Sequence, residues 1–181
     1  MDELYRREYY LDRVRDSLRI GCLSECHDSL AMWSHYAESH KGICICYNTS
    51  KLLEKGIKTY KIHYSEELVD VKKEEFHNQV FAMILASLTK NHEYSYEREW
   101  RIWDIRKEWV NVEGCVEMVL LGVNCNKNLK GHVKLLTDFC ESKNIPVKHM
   151  RISKDKFKVE IVEIKPIIFS SEDLASMDDL D

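Results

Sequence analysis

Apolar residues recur along this chain at spacings that switch between helical and extended periods. Leu4, Leu11, Val14 and Leu18 step by seven, three and four through a charge-rich stretch, which predicts an amphipathic helix over 2–18. Residues 19–24 read as a short strand. Asp28 is placed to cap a helix over about 29–39, whose Met32, Trp33, Tyr36 and Ala37 form one stripe; Gly42 ends it. A strand over 42–47, a short helix near 50–55 stopped by Gly56, and a strand over 59–64 follow. The clearest helical signal spans about 66–90. Ser65 with Glu66 and Glu67 suits a helix start, and Phe76, Val80, Ile84 and Leu88 step by four. Strands are predicted over 98–106 and 117–123, the second nearly all apolar, as a central strand covered on both faces is. Asn126 can cap a helix through about Ser142, which Asn144 and Pro146 end. Residues 147–152 and 157–164 make a final strand pair.

This irregular alternation, with at least one antiparallel hairpin, predicts an α+β domain with a mixed or antiparallel sheet over 1–170. The last ten residues carry five carboxylates and no base, so 171–181 is expected to be a disordered acidic tail. There is no internal repeat, no linker and no glycine-rich phosphate loop.

Composition narrows the function classes. Among 181 residues, 27 Lys and Arg against 31 Asp and Glu give a net charge of −4, which argues against bulk nucleic-acid binding. No apolar run reaches the roughly 18 residues a membrane span needs, and the first residues do not resemble a signal peptide, so a cytoplasmic protein is expected. Seven cysteines, an odd count, fit free thiols in that compartment. Cys44 and Cys46 read first as small core residues on one strand face. A zinc site joining them to Cys22, Cys26 and His27 is the rival, but its spacing is a poor match to zinc motifs, and no metal is expected.

Two segments carry candidate chemistry. Met-Trp-Ser-His-Tyr-Ala-Glu-Ser-His-Lys-Gly at 32–42 crowds Trp33, His35, Tyr36, His40 and Lys41 into one short helix and its exit. Trp33 and Tyr36 suit core packing. His35 suits either a helix hydrogen bond or proton transfer at neutral pH, and Lys41 either a helix exit or an anion contact. The second segment is Tyr94-Ser95-Tyr96-Glu97-Arg98-Glu99-Trp100-Arg101. On a strand, Glu97, Glu99 and Arg101 share one face and Tyr96, Arg98 and Trp100 the other. Two carboxylates and a guanidinium in a row suit a solvated edge with cross-strand ion pairs. They equally suit a cleft that binds sugar hydroxyls.

Taken together, these segments, preceded by Cys22-Leu23-Ser24-Glu25 and followed by Met118-Val119-Leu120-Leu121-Gly122, resemble a large bacterial family catalogued as a domain of unknown function, numbered twenty-nine seventy-one. The resemblance spans about 15–165. Leu23 stands where that family usually has an aromatic, and Tyr94 where it often has Trp. The leading segment with a His-Tyr-Thr-like strand and an Asn-Asp-Pro turn has no counterpart, so the chain reads as an N-terminally short member or a fragment. The full family pattern is similar to the ADP-ribosyltransferase fold with its split sheet, in which a first strand carries His or Arg, a second Ser, and a later one Glu-x-Glu. That likeness implies NAD as a substrate, with no resident metal. Glu99 would stabilise oxocarbenium-like charge, and Glu97 would assist the acceptor. His35 joins them as the third catalytic candidate. Ser24, Tyr36, Lys41 and Arg101 would line the substrate site. The absent first strand would have supplied the group that grips NAD. Two rivals remain open. One is a non-catalytic binding or regulatory module whose sheet edge accepts a protein partner or a second copy. The other is a metal-independent nuclease using His35, Lys41 and Arg101.

Overall fold

The computed structural model describes residues 19–69, 79–104, 110–125 and 130–162. The helix expected over 2–18 and the tail over 171–181 lie outside them, as do residues 70–78 of the expected long helix and Asn126, the expected cap of the helix that runs to about Ser142.

The chain is α+β. In order, the elements are β1 (Arg19–Ser24), α1 (Leu30–Tyr36), β2 (Ile43–Tyr47), α2 (Thr49–Glu54), β3 (Thr59–Lys61), β4 (His63–Ser65), α3 (Gln79–Ser87), β5 (Thr89–Asn91), a 3-10 helix (His92–Glu97), β6 (Glu99–Asp104), β7 (Val116–Leu121), α4 (Lys130–Ser142), β8 (Val147–Ile152) and β9 (Val159–Val162). Among the described residues three sheets form: β1-β6-β3, all antiparallel; β2-β7-β8-β9, mixed; and the short parallel pair β4-β5.

The core is built on β7, whose apolar run is buried from both sides. Leu120 packs with Trp33 and Ala37 at α1, and with Met150 and Val159 of the neighbouring strands. Val119 and Leu121 point the other way and pack with Cys125 and with Cys140 of α4. Alternate residues of one strand thus face opposite layers, which is why this segment has no polar face. Burying Leu120 and Leu121 completely contributes about 1.5–3 kcal/mol each.

Several element boundaries differ from the sequence pattern, each for a local reason. Ser29, not Asp28, caps α1, its Oγ accepting from the Met32 amide at 3.3 Å. That helix stops at Tyr36 instead of 39 because Glu38, Ser39 and His40 all adopt left-handed backbone, with φ of 46°, 55° and 67°. This turn is seated on the end of β7. The Gly122 amide donates to the Gly42 carbonyl at 3.0 Å, and the Asn124 amide to the His40 carbonyl at 2.9 Å. The strand expected over 59–64 is two strands in two sheets, β3 and β4, parted by buried Ile62. The Ile62 amide bonds to Glu99, whereas that of His63 bonds to Leu88. The long helix ends at Ser87, and 89–91 leave it to pair with β4. Among the described residues, no helix is long and apolar enough to cross a membrane.

Candidate functional site

The segment 92–101 is not one continuous strand. Residues 92–97 form a 3-10 helix, Arg98 is left-handed with φ 45°, and β6 begins at Glu99. The alternation expected of Glu97, Glu99 and Arg101 therefore holds only for the last two. Glu97 reaches the same place by the turn at Arg98, whose backbone oxygen accepts from the Glu25 amide at 3.2 Å.

Both acids are inside the protein, Glu97 at 3% and Glu99 at 4% exposure. Two isolated carboxylates at such depth would be prohibitively costly, so each has charged or hydrogen-bonding partners. The Lys90 ammonium bridges them. It contacts Glu97 Oε2 closely and donates to Glu99 Oε2 at 2.9 Å. Arg101 Nε donates to Glu99 Oε1 at 2.6 Å, and another guanidinium N–H reaches the Ser87 carbonyl. The Tyr36 hydroxyl donates to Glu97 Oε1 at 2.9 Å, and the Glu99 amide donates to the Tyr64 hydroxyl at 2.8 Å. Burial alone would raise the Glu99 carboxyl. Hydrogen bonds from Arg101 and Lys90 outweigh it and hold the carboxyl down at about 2. Lys90 is correspondingly raised: burial opposes its charge, but Glu97 and Glu99 more than offset this. The Glu97 carboxylate, with burial as a lesser cause, raises the Tyr36 phenol.

Ser24 sits beside this junction but does not touch a carboxylate. Its hydroxyl donates to the Glu97 backbone oxygen at 2.6 Å and accepts from the Cys26 amide at 2.9 Å, which ties the end of β1 to the 3-10 helix. Antiparallel register places Ser24 opposite Glu99, and Cys22 and Tyr60 opposite Arg101, so these five side chains share one sheet face. Tyr36 is 65% exposed even though its hydroxyl is engaged. Its ring helps line an open hollow of about 130 Å³, with Cys26, Met32, Trp33, Ile43 and Cys44.

Five of the seven sequence-derived candidates thus converge: Ser24, Tyr36, Glu97, Glu99 and Arg101. His35 and Lys41 do not join them. His35 is exposed in the last turn of α1, Lys41 follows the left-handed turn, and among the described residues no hydrogen bond or ion pair links either to the junction. Sequence reasoning missed Lys90 and Tyr64, which are register partners in the parallel β4-β5 pair. Asn91 was the available signal for Lys90, since it caps the 3-10 helix and so marks a break after 90. Among the described residues, no group of three or more His, Cys, Asp or Glu side chains is arranged to hold a metal ion.

The architecture defines an α+β protein with a buried acid–base junction where its three-stranded sheet meets α1. Residues 32–102 match the model of a protein family of unknown function, DUF2971. No curated protein and no solved structure matches the chain. The matched stretch holds α1 from Met32 onward, its left-handed exit, Lys90 and both acids, whereas Ser24 and strand β7 lie outside it.

Proposed function

We propose that the chain is an ADP-ribosyltransferase-like domain that cleaves the glycosidic bond of NAD at the Glu97–Glu99 junction. The observation that carries this reading is the pair of buried acids beside Ser24 and Tyr36, with Glu99 held ionised. A carboxylate fixed in its charged form at a site of low water content is suited to stabilising cationic charge that develops only in the transition state. Glu99 is assigned that role. Glu97 is assigned to the acceptor, and Tyr36 and Arg101 to substrate contacts.

Incubating the purified chain with NAD is expected to release nicotinamide. Glu99→Gln is expected to lower the rate about a hundredfold or more, the loss typical of removing one electrostatic stabiliser. Chromatography of the released base gives the readout. Absence of turnover in both forms, together with no heat of NAD binding by calorimetry, removes the proposal.

One observation favours a second reading, a non-catalytic binding module of the same fold. Both oxygens of Glu99 are already engaged, by Arg101 and Lys90, which leaves the carboxylate's charge neutralised before any ligand arrives. NAD binding without nicotinamide release, unaltered in Glu99→Gln, is the outcome that reading predicts.

A further inference from the structure

We propose that Cys26 and Cys44 form a peroxide-oxidisable thiol pair whose disulfide closes the hollow beside Tyr36. The two residues belong to different segments, the loop after β1 and strand β2, yet both line that one open hollow of about 130 Å³. Both are free and partly exposed, and the hollow admits a molecule as small as a hydroperoxide. Cys46 lies two residues from Cys44 on the same strand face. Its S–H hydrogen-bonds to Cys44 and lowers the Cys44 thiol against the opposing effect of burial, which favours the reactive thiolate. Cys22 offers an internal comparison. It is more exposed, but burial of its sulfur and the adjacent Glu99 raise its thiol.

The chemistry balances with a hydroperoxide as the oxidant. With hydrogen peroxide, the Cys44 thiolate attacks one oxygen and forms a sulfenic acid; the O–O bond breaks, and the other oxygen leaves as hydroxide, which takes up the proton the thiol released and becomes water. Cys26 sulfur then attacks the sulfenyl sulfur, the S–O bond breaks, a second water leaves and the S–S bond forms. Two thiols supply the two electrons that reduce the peroxide.

A disulfide needs Cα atoms roughly 4.4–6.8 Å apart, so the link would pin the loop after β1 to β2 at that separation across the hollow they share. The same loop holds the Cys26 amide on the Ser24 hydroxyl, and that hydroxyl on the Glu97 backbone. Oxidation therefore acts on the mounting of the acid junction as well as on access to Tyr36. This holds whatever the junction binds.

The test treats the reduced full chain with hydrogen peroxide, blocks remaining thiols with N-ethylmaleimide, and maps linked peptides by mass spectrometry without reduction. The expected result is a Cys26–Cys44 linked peptide as the main intrachain product, formed before Cys22 is modified. Cys26→Ser, first shown to melt at the same temperature as the parent, should lose the link and leave a Cys44 sulfenic acid that dimedone traps. Cys46→Ser should slow formation of the link several-fold. The proposal is overturned if Cys22 oxidises first, if the disulfides join other cysteines or separate chains, or if Cys26→Ser leaves Cys44 unmodified.

Discussion

Gly122→Ala is expected to be the most damaging single-methyl addition in the described part of the protein. A Cβ at this position would stand 2.2 Å from the His40 carbonyl oxygen, 2.8 Å from its carbon and 3.0 Å from the Gly42 oxygen. All three are backbone atoms of the turn that leaves α1, so no side chain can rotate away. That turn already contains three consecutive left-handed non-glycine residues, each costing about 1–2 kcal/mol. It keeps its shape through bonds to Gly122 and Asn124, which the new methyl would push apart. The expected loss is on the order of 4 kcal/mol, a large part of the roughly 5–15 kcal/mol that holds a domain folded. Gly42→Ala is the control. Its Cβ would meet Ala37 at 3.1–3.3 Å, a contact that small shifts relieve, so it should cost distinctly less. Urea midpoints by circular dichroism rank the pair. A Gly122→Ala protein as stable as the parent would mean that the turn does not sit on β7 as described.

Lys90→Met should cost about 3 kcal/mol at neutral pH, the low end of the range for stranding a buried charge, since the lysine side chain is 21% exposed. The two acids are not equally affected. Glu99 keeps Arg101, but among the described residues Glu97 retains only the Tyr36 hydroxyl. The penalty therefore arises mainly at Glu97. Glu97→Gln placed in the Lys90→Met background should recover stability, although in the parent it removes an ion pair and should destabilise. That reversal of sign, read from a double-mutant cycle in urea, is the signature of a lysine that neutralises a buried acid. Additive losses would show that Lys90 and Glu97 do not interact.

Lys90 also shows how far the chain could be read before folding. The β7 run was legible because an apolar strand without a polar face has few other fates, and Leu120 and Val119 lie in the two cores it implied. Glu97, Glu99, Arg101 and Tyr36 stood out by type and position, Ser24 only through the family resemblance, and the five converge. Lys90 was hidden because the four-residue step through Ile84 and Leu88 continues the helical pattern to its doorstep. The break after Ser87 comes from pairing with β4, a partner more than twenty residues earlier that no local signal announces. The division of 59–64 between two sheets has the same origin, as does the left-handed Arg98, which is fastened by Glu25 from far upstream. His35 and Lys41 share a short segment with Tyr36, but His35 sits exposed in the last turn of α1 and Lys41 lies beyond the left-handed exit. Closeness in sequence was the weaker guide.

The site rests on two buried acids bridged by Lys90, with Glu99 held charged by Arg101 and Lys90. The most direct measurement is a carbon-13 NMR titration of the glutamate side-chain carboxyls from pH 7 downward. Glu99 is predicted to stay ionised through the ordinary carboxylate value of 4.5 and to protonate only near 2. Because its folded value is depressed, its contribution to stability is present above pH 4.5 and is lost as pH falls toward 2. Glu99→Gln should remove that single late titration and leave the others in place. A Glu99 carboxyl that takes up its proton near 4.5, like an exposed glutamate, would contradict the account: it would place the acid in water, without the cations on which the site depends.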